Sequence, residues 1–178
     1  VEVFVVLEIR KYPDPILSKK AERVEKIDQD IQKLIGDMIE TLYAAPGVGL
    51  AAPQVGRSIR LIVFDPSVRN EEGKLTVLIN PEIIEKDGEA IMKEGCLSVP
   101  GLEAEIKRAE NVKVTGLDKN GNAVTIDAKG FLARVIQHEI DHLDGILLLD
   151  RIGFIKRDIF KRRLMKQLKE TAREQAVK

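Results

Sequence analysis

Apolar residues recur at helical spacing in three stretches of the chain, with short β-rich runs between the first two. The first stretch is Ile31, Leu34, Ile35, Met38, Ile39 and Leu42; Asp28 stands where a side chain caps a helix, and the pattern predicts an end near Ala44, before Pro46. In the second, Leu132, Val135, Ile136, Ile140 and Leu143 follow Gly130 and stop at Gly145, which predicts a helix with one face on a sheet. The third runs from about Phe154 through Ile155, Ile159, Phe160, Leu164 and Leu168, so a C-terminal helix is expected over residues 154–174.

Strands are expected at Arg60 to Asp65, Leu75 to Asn80, Ile83 to Lys86, Ala90 to Lys93, Ala104 to Lys107, Val112 to Leu117 and Ala123 to Asp127. Glu72-Gly73, Asp87-Gly88 and Lys119-Asn120-Gly121-Asn122 separate them and suit antiparallel hairpins and meanders. Strands and helices do not alternate regularly, so the fold class expected is α+β, with antiparallel sheets packed around the Gly130–Gly145 helix and a helix near each end. Two prolines make Lys11-Tyr12-Pro13-Asp14-Pro15 extended or turning. Val1 to Leu7 is apolar but broken by Glu2; it reads as a strand, or as an extension over residues 1–6.

Composition narrows the class. At 178 residues and 44% hydrophobic content, residues 1–178 are expected to form one domain with its own core. Lysine plus arginine and aspartate plus glutamate both number 29, which argues against a dedicated polyanion binder. One cysteine cannot form an internal disulfide, and the apolar start is too short for a secretory signal or a membrane span, so a cytoplasmic protein without a membrane segment is expected. Residues 156–174 carry eight basic and three acidic side chains. That excess of five reads either as a solvated helix face or as a contact for an anionic partner such as RNA.

The chemistry gathers on Gln137-His138-Glu139-Ile140-Asp141-His142-Leu143, which holds both histidines of the chain. Residues four apart share a helix face, so His138 and His142 can bind one metal ion with Glu139 beside it. A chance match on a surface helix is the plain alternative. A catalytic metal site keeps three protein ligands and an open position. Cys96, in Glu94-Gly95-Cys96-Leu97-Ser98, offers a thiolate in a glycine-flanked loop; the alternative is a buried, metal-free cysteine. A thiolate with two imidazoles suits Zn²⁺, Fe²⁺, Co²⁺ or Ni²⁺ rather than Ca²⁺ or Mg²⁺. Gly47-Val48-Gly49-Leu50-Ala51-Ala52-Pro53-Gln54 lacks the lysine and hydroxyl of a phosphate loop, and reads as a structural turn or a binding loop.

Those three segments, in this order and spacing, resemble the signature motifs of the bacterial peptide deformylases, and the resemblance runs from Leu7 onward. It implies removal of the N-formyl group from N-formylmethionyl peptides by a metal-activated water, with release of formate. Cys96, His138 and His142 would be the metal ligands, with Fe²⁺ expected natively and Zn²⁺, Ni²⁺ or Co²⁺ accepted. Glu139 would be general base and acid, while the Gln54 side chain and the Leu97 N–H would bind the oxyanion. Substrate contacts would come from Val48, Gly49, Glu94, Gly95, Phe131, Arg134 and Val135, with the methionine side chain in an apolar pocket and the Arg134 charge meeting solvent at its rim. Asp141 is expected to pair with an arginine such as Arg108. In this family the C-terminal helix can dock at the ribosome, a role the basic excess would suit.

Two rival readings share these residues. A zinc metallopeptidase cutting internal peptide bonds would use the same helix, and a metal-stabilised ribosome-bound protein would show no turnover. A cysteine as third ligand counts against the first, and the absence of a second cysteine or a third histidine counts against the second.

Overall fold

The computed structural model describes residues 3–177. Its elements are α1 (Gln29–Ala44), β1 (Gly49–Ala51), β2 (Leu61–Phe64), β3 (Thr76–Asp87), β4 (Ala90–Gly95), β5 (Glu103–Arg108), β6 (Asn111–Leu117), β7 (Ala123–Lys129), α2 (Gly130–Leu143) and α3 (Phe154–Ala176). Five strands make one antiparallel sheet in the order β1-β2-β3-β6-β7, and β4 and β5 form a separate hairpin.

The large sheet is covered on both faces, and β2 shows why its four residues are all buried. Ile62 and Phe64 point toward Ala133, Ile136, Ile140 and Leu143 of α2, whereas Leu61 and Val63 point toward Leu34, Ile35, Met38 and Leu42 of α1. The period of two along a strand thus distributes one apolar run between two helices. Asp28 caps α1 as expected, its side chain accepting from the Ile31 N–H at 3.1 Å. A third cluster, with Leu17, Val99, Leu102, Ile106 and Leu147 to Leu149, binds the hairpin to the chain that leaves α2.

Helix α2 follows β7 directly and stops where Gly145 takes a φ of 73°. A Cβ there would fall 2.7 Å from the Ser18 carbonyl oxygen, so both the turn and the close approach require glycine. The freed Leu143 carbonyl accepts from the Ala21 N–H at 2.8 Å and from the Arg60 guanidinium at 3.3 Å. That holds the C-terminal end of α2, and with it His142, against two other parts of the chain.

Three expectations change. The two runs at 75–80 and 83–86 are one strand, β3, because a register shift between Ile79 and Glu82 lets Pro81 sit in the ladder. Asn80 takes a φ of 51° there, and its side chain holds both the N–H and the carbonyl of Val24, at 2.8 and 3.0 Å. The glycine-rich stretch contains an edge strand, β1, paired with β2 through Gly49–Phe64, Leu50–Val63 and Ala51–Ile62. Val3 to Leu7 is extended but joins no sheet: the Val5 and Leu7 N–H groups donate to Asp37 and Thr41 of α1, at 2.9 and 2.8 Å. Val1 and Glu2, the remainder of that expected strand, lie outside the described residues.

Candidate metal centre

Helical spacing places His138 and His142 one turn apart on α2, their ring centroids 5.0 Å from each other. Cys96 meets them from the turn after β4, with its Sγ 3.3 Å from the His142 Nε2. The three side chains each offer a ligand atom within 4.8 Å of the others; among the described residues they form the one such group.

Two observations bear on whether a metal fits. A thiolate and two imidazoles are the donors that a borderline-soft divalent ion takes, and three leave one position open. Beside them Glu139 is 4% exposed, and its Oε2 has no hydrogen-bond partner. Buried polar atoms are nearly always satisfied, so an orphaned carboxylate oxygen next to three converging ligands marks a place meant for something else. The residues therefore fit a divalent metal ion.

The histidine that carries Nδ1 toward the interior is held by charge. Glu94 Oε2 accepts from His138 Nδ1 at 3.0 Å, the carboxylate–imidazole arrangement that orients a metal ligand. Arg108 grips the same carboxylate with Nε and Nη2, at 2.6 and 2.9 Å, and Arg134 Nη1 adds a third contact at 2.5 Å. Burial alone would raise the Glu94 pKa, but the hydrogen bonds and charges of His138 and Arg108 prevail and bring it down to about 2.

Glu139 has the opposite balance. Its burial, with the charges of Glu94 and Asp141 adding, outweighs the pull of His138 and Arg108 and pushes its pKa up to about 7. Two carboxylates on one site are thus tuned apart, Glu94 as a permanent anion and Glu139 as a group able to exchange a proton near neutrality.

Gln54 sits in the short turn after β1 and is 2% exposed. Its Oε1 accepts from the Ala51 N–H at 2.9 Å, which turns the amide NH₂ toward the metal side; Nε2 donates to Ser98 Oγ at 3.0 Å and lies 3.9 Å from Cys96 Sγ. The backbone on either side is stitched to the N-terminal segment, since Arg10 N–H donates to the Gln54 carbonyl at 2.7 Å and Tyr12 N–H to the Ser98 carbonyl at 2.8 Å. One strap therefore ties the glycine-rich stretch to the cysteine turn.

A cavity of about 490 Å³ opens onto these groups, lined by Val48, Gly49, Gly95, Leu97, Phe131 and Val135 among others. All thirteen residues singled out in the sequence line it or the metal group behind it. Two of their expected roles change. The Arg134 charge does not meet solvent: the residue is 5% exposed and its guanidinium donates to Glu94 and to the carbonyls of Ile106 and Ala90, at 2.9 and 2.8 Å for the carbonyls. Glu94 is likewise committed to His138, Arg108 and Arg134 rather than free for a substrate. The expected Asp141–Arg108 pair is present at 2.8 Å. Sequence reading missed Ser98, although it stands inside the cysteine motif, and Arg151, for which no local signal exists.

The family model for polypeptide deformylases matches residues 6–158. A peptide deformylase of Thermodesulfovibrio yellowstonii is 57% identical over 158 residues, covering 89% of this chain and 96% of that one. The relative from Syntrophobacter fumaroxidans is 54% identical over 93% of this chain and 97% of its own. Among solved structures, a peptide deformylase from Legionella pneumophila superposes with a TM-score of 0.86 at 44% identity, over 95% of this chain and 99% of that chain. That from Ehrlichia chaffeensis, in complex with actinonin, gives 0.85 at 43% identity, over 92% and 98%. With a family model spanning most of the chain and relatives more than half identical along nearly their whole length, the chain belongs to the polypeptide deformylase family of enzymes.

Proposed function

We propose that residues 1–178 act as one catalytic unit that removes the formyl group from N-formylmethionyl peptides, with Cys96, His138 and His142 holding a single divalent metal ion. The observation that carries this reading is the convergence of those three ligand atoms within 4.8 Å beside the buried, unpartnered Glu139 Oε2. When bound, the ion supplies Lewis acidity and makes hydroxide available near neutral pH. Fe²⁺ is the ion expected, and the ligand set accepts Zn²⁺, Ni²⁺ or Co²⁺.

The protein's own groups do the rest. Glu139 takes a proton from the attacking water and delivers it to the departing amine nitrogen, a task suited to a buried carboxylate with one oxygen unpartnered beside the ligands. As the C–N bond of the formamide breaks, water supplies the second oxygen of formate and the peptide leaves as a free amine. The Gln54 NH₂, aimed by its bond from Ala51, and the Leu97 N–H receive the charge that develops on the formyl oxygen; one such donor is typically worth about 10²–10³ in rate.

Substrate enters as a short strand. β1 is the edge of the large sheet, and β4 runs along the same cavity, so main-chain bonds can hold a peptide without regard to its side chains. The methionine side chain fills the apolar part near Val48, Leu97, Phe131 and Val135. Helix α3 serves as a ribosome contact in the cytoplasm: none of its residues is buried, and its basic excess remains open to an RNA surface. Among the described residues no helix is long and apolar enough to cross a membrane.

A comparison of wild type with Glu139→Gln on a formyl-Met-Ala-Ser peptide, and on an unformylated peptide cut internally, tests the reading. It requires formate from the formylated peptide with wild type alone. Cleavage of the internal bond without release of formate would replace it with a metallopeptidase.

A further inference from the structure

We infer that Arg151 is a positioning residue for the metal centre, acting on His138 from a separate cleft through an unbroken chain of ion pairs. This rests on the proposal that His138 is a metal ligand.

Arg151 follows the short turn Leu148–Asp150 and its side chain is 39% exposed. It lines a charged cleft whose lining shares none of Cys96, His138, His142 or Glu139, the groups of the metal centre. Nη2 and Nε of Arg151 take the two oxygens of Asp141, at 2.5 and 2.9 Å. Asp141 Oδ2 also accepts from Arg108 Nη1 at 2.8 Å, Arg108 clasps Glu94 with its other two nitrogens, and Glu94 accepts from His138. Of the five residues so joined Arg151 is the most exposed, His138 opens only onto the substrate cavity, and Asp141, Arg108 and Glu94 are all under 9% exposed.

The geometry makes the outer arginine matter to the inner histidine. Arg108 is shared between two carboxylates, and how tightly it holds Glu94 depends on how well Asp141 is satisfied by others. Asp141 sits in the last turn of α2, where the helix carbonyls disfavour a negative charge. Without Arg151, one oxygen of this buried carboxylate loses its partner and Asp141 draws Arg108 toward itself. Glu94 then loosens, and the His138 imidazole loses the acceptor that sets its ring orientation and its basicity as a ligand.

The test is the metal dissociation constant, measured by competition with a coloured chelator using Co²⁺, together with the Co²⁺ absorption spectrum and steady-state kinetics. Arg151→Ala should weaken Co²⁺ binding about tenfold, the low end of what partners of metal ligands give. It should also shift the visible bands and lower kcat more than it changes KM, since Arg151 itself does not line the substrate cavity. Arg151→Lys, which keeps the charge but cannot hold both oxygens, should fall between. Lys107→Ala, whose side chain pairs with Glu89 in the same cleft outside the chain of pairs, should match wild type. A Co²⁺ constant within twofold of wild type and an unchanged spectrum in Arg151→Ala would overturn the inference, as would wild-type values in Arg151→Lys if the alanine variant does not fold. Failure of the wild-type protein to bind Co²⁺ at all would instead remove the metal reading on which it stands.

Discussion

Gly49→Ala isolates the placement of Glu139 from everything else in the protein. Gly49 has an ordinary φ in β1, so alanine suits its backbone, and the stability cost, about 1–3 kcal/mol, comes from crowding the buried Glu139 side chain alone. The added Cβ would lie 2.8 Å from the Glu139 carboxyl carbon and 2.9 Å from its Cγ, where ordinary contact begins near 3.4 Å. The carboxylate must retreat by roughly 0.6 Å or more, and misplacing a reacting group by about 1 Å costs on the order of 10²-fold in rate. The three atoms nearest that Cβ all belong to Glu139, so the clash falls first on the carboxylate, and metal content should hold near wild-type level. Formate release from formyl-Met-Ala-Ser, metal analysis and thermal melting measure all three effects. Gly47→Ala is the control, because its Cβ meets a flexible end of Leu97 at 2.8 Å and should be milder. Turnover within threefold of wild type in Gly49→Ala would refute the placement of Glu139 as the working base.

Other expectations follow from the same geometry. Glu94→Gln removes the anion that two buried arginines and His138 share, and should cost about 3–5 kcal/mol in urea unfolding while weakening metal binding. Ile136→Ala, at a fully buried position between α2 and the sheet, should cost about 2–5 kcal/mol and leave metal stoichiometry unchanged. Tyr43 donates to Asp65 at 2.6 Å, and that bond, with burial and the Asp65 charge, pushes its pKa up to about 12. Because the folded pKa lies above the unfolded value of 10.0, the contribution is complete below pH 10 and is lost as pH rises toward 12; Tyr43→Phe should remove that slope from denaturation midpoints taken across the range. Stripping the metal with a chelator should lower the melting temperature, by an amount corresponding to about 2.7 kcal/mol when the free metal had stood at about 100 times its dissociation constant.

How much of this was legible in the sequence differs by element. Helix α1 was readable to the residue because Asp28 caps one end and Ala44 precedes a proline two residues on. The metal group was readable because helical periodicity alone puts His138 and His142 on one face. β1 was not, since a three-residue strand of Gly49, Leu50 and Ala51 carries no strand propensity; its partner β2 and the covering helices decide its state. β3 looked like two runs because Pro81 normally ends a strand, and only the register shift at Asn80 admits it. Arg134 was misplaced by the usual habit of arginine to keep its head in water, which fails where a buried glutamate and two carbonyls already wait for it. Of the links from Arg151 to His138 only the Asp141–Arg108 pair was expected; the hold of Arg108 on Glu94, 14 residues away, and of Arg151 on Asp141 follows from no local pattern.

The central claim is that this metal group deformylates. It is tested most directly by loading the wild-type protein anaerobically with Fe²⁺ and following formate and free amine from formyl-Met-Ala-Ser, beside the same protein stripped of metal. Equimolar formate and amine from the loaded protein, abolished by stripping and restored by adding Fe²⁺ back, is the result expected. No formate from protein that holds one Fe²⁺ per chain would contradict the account.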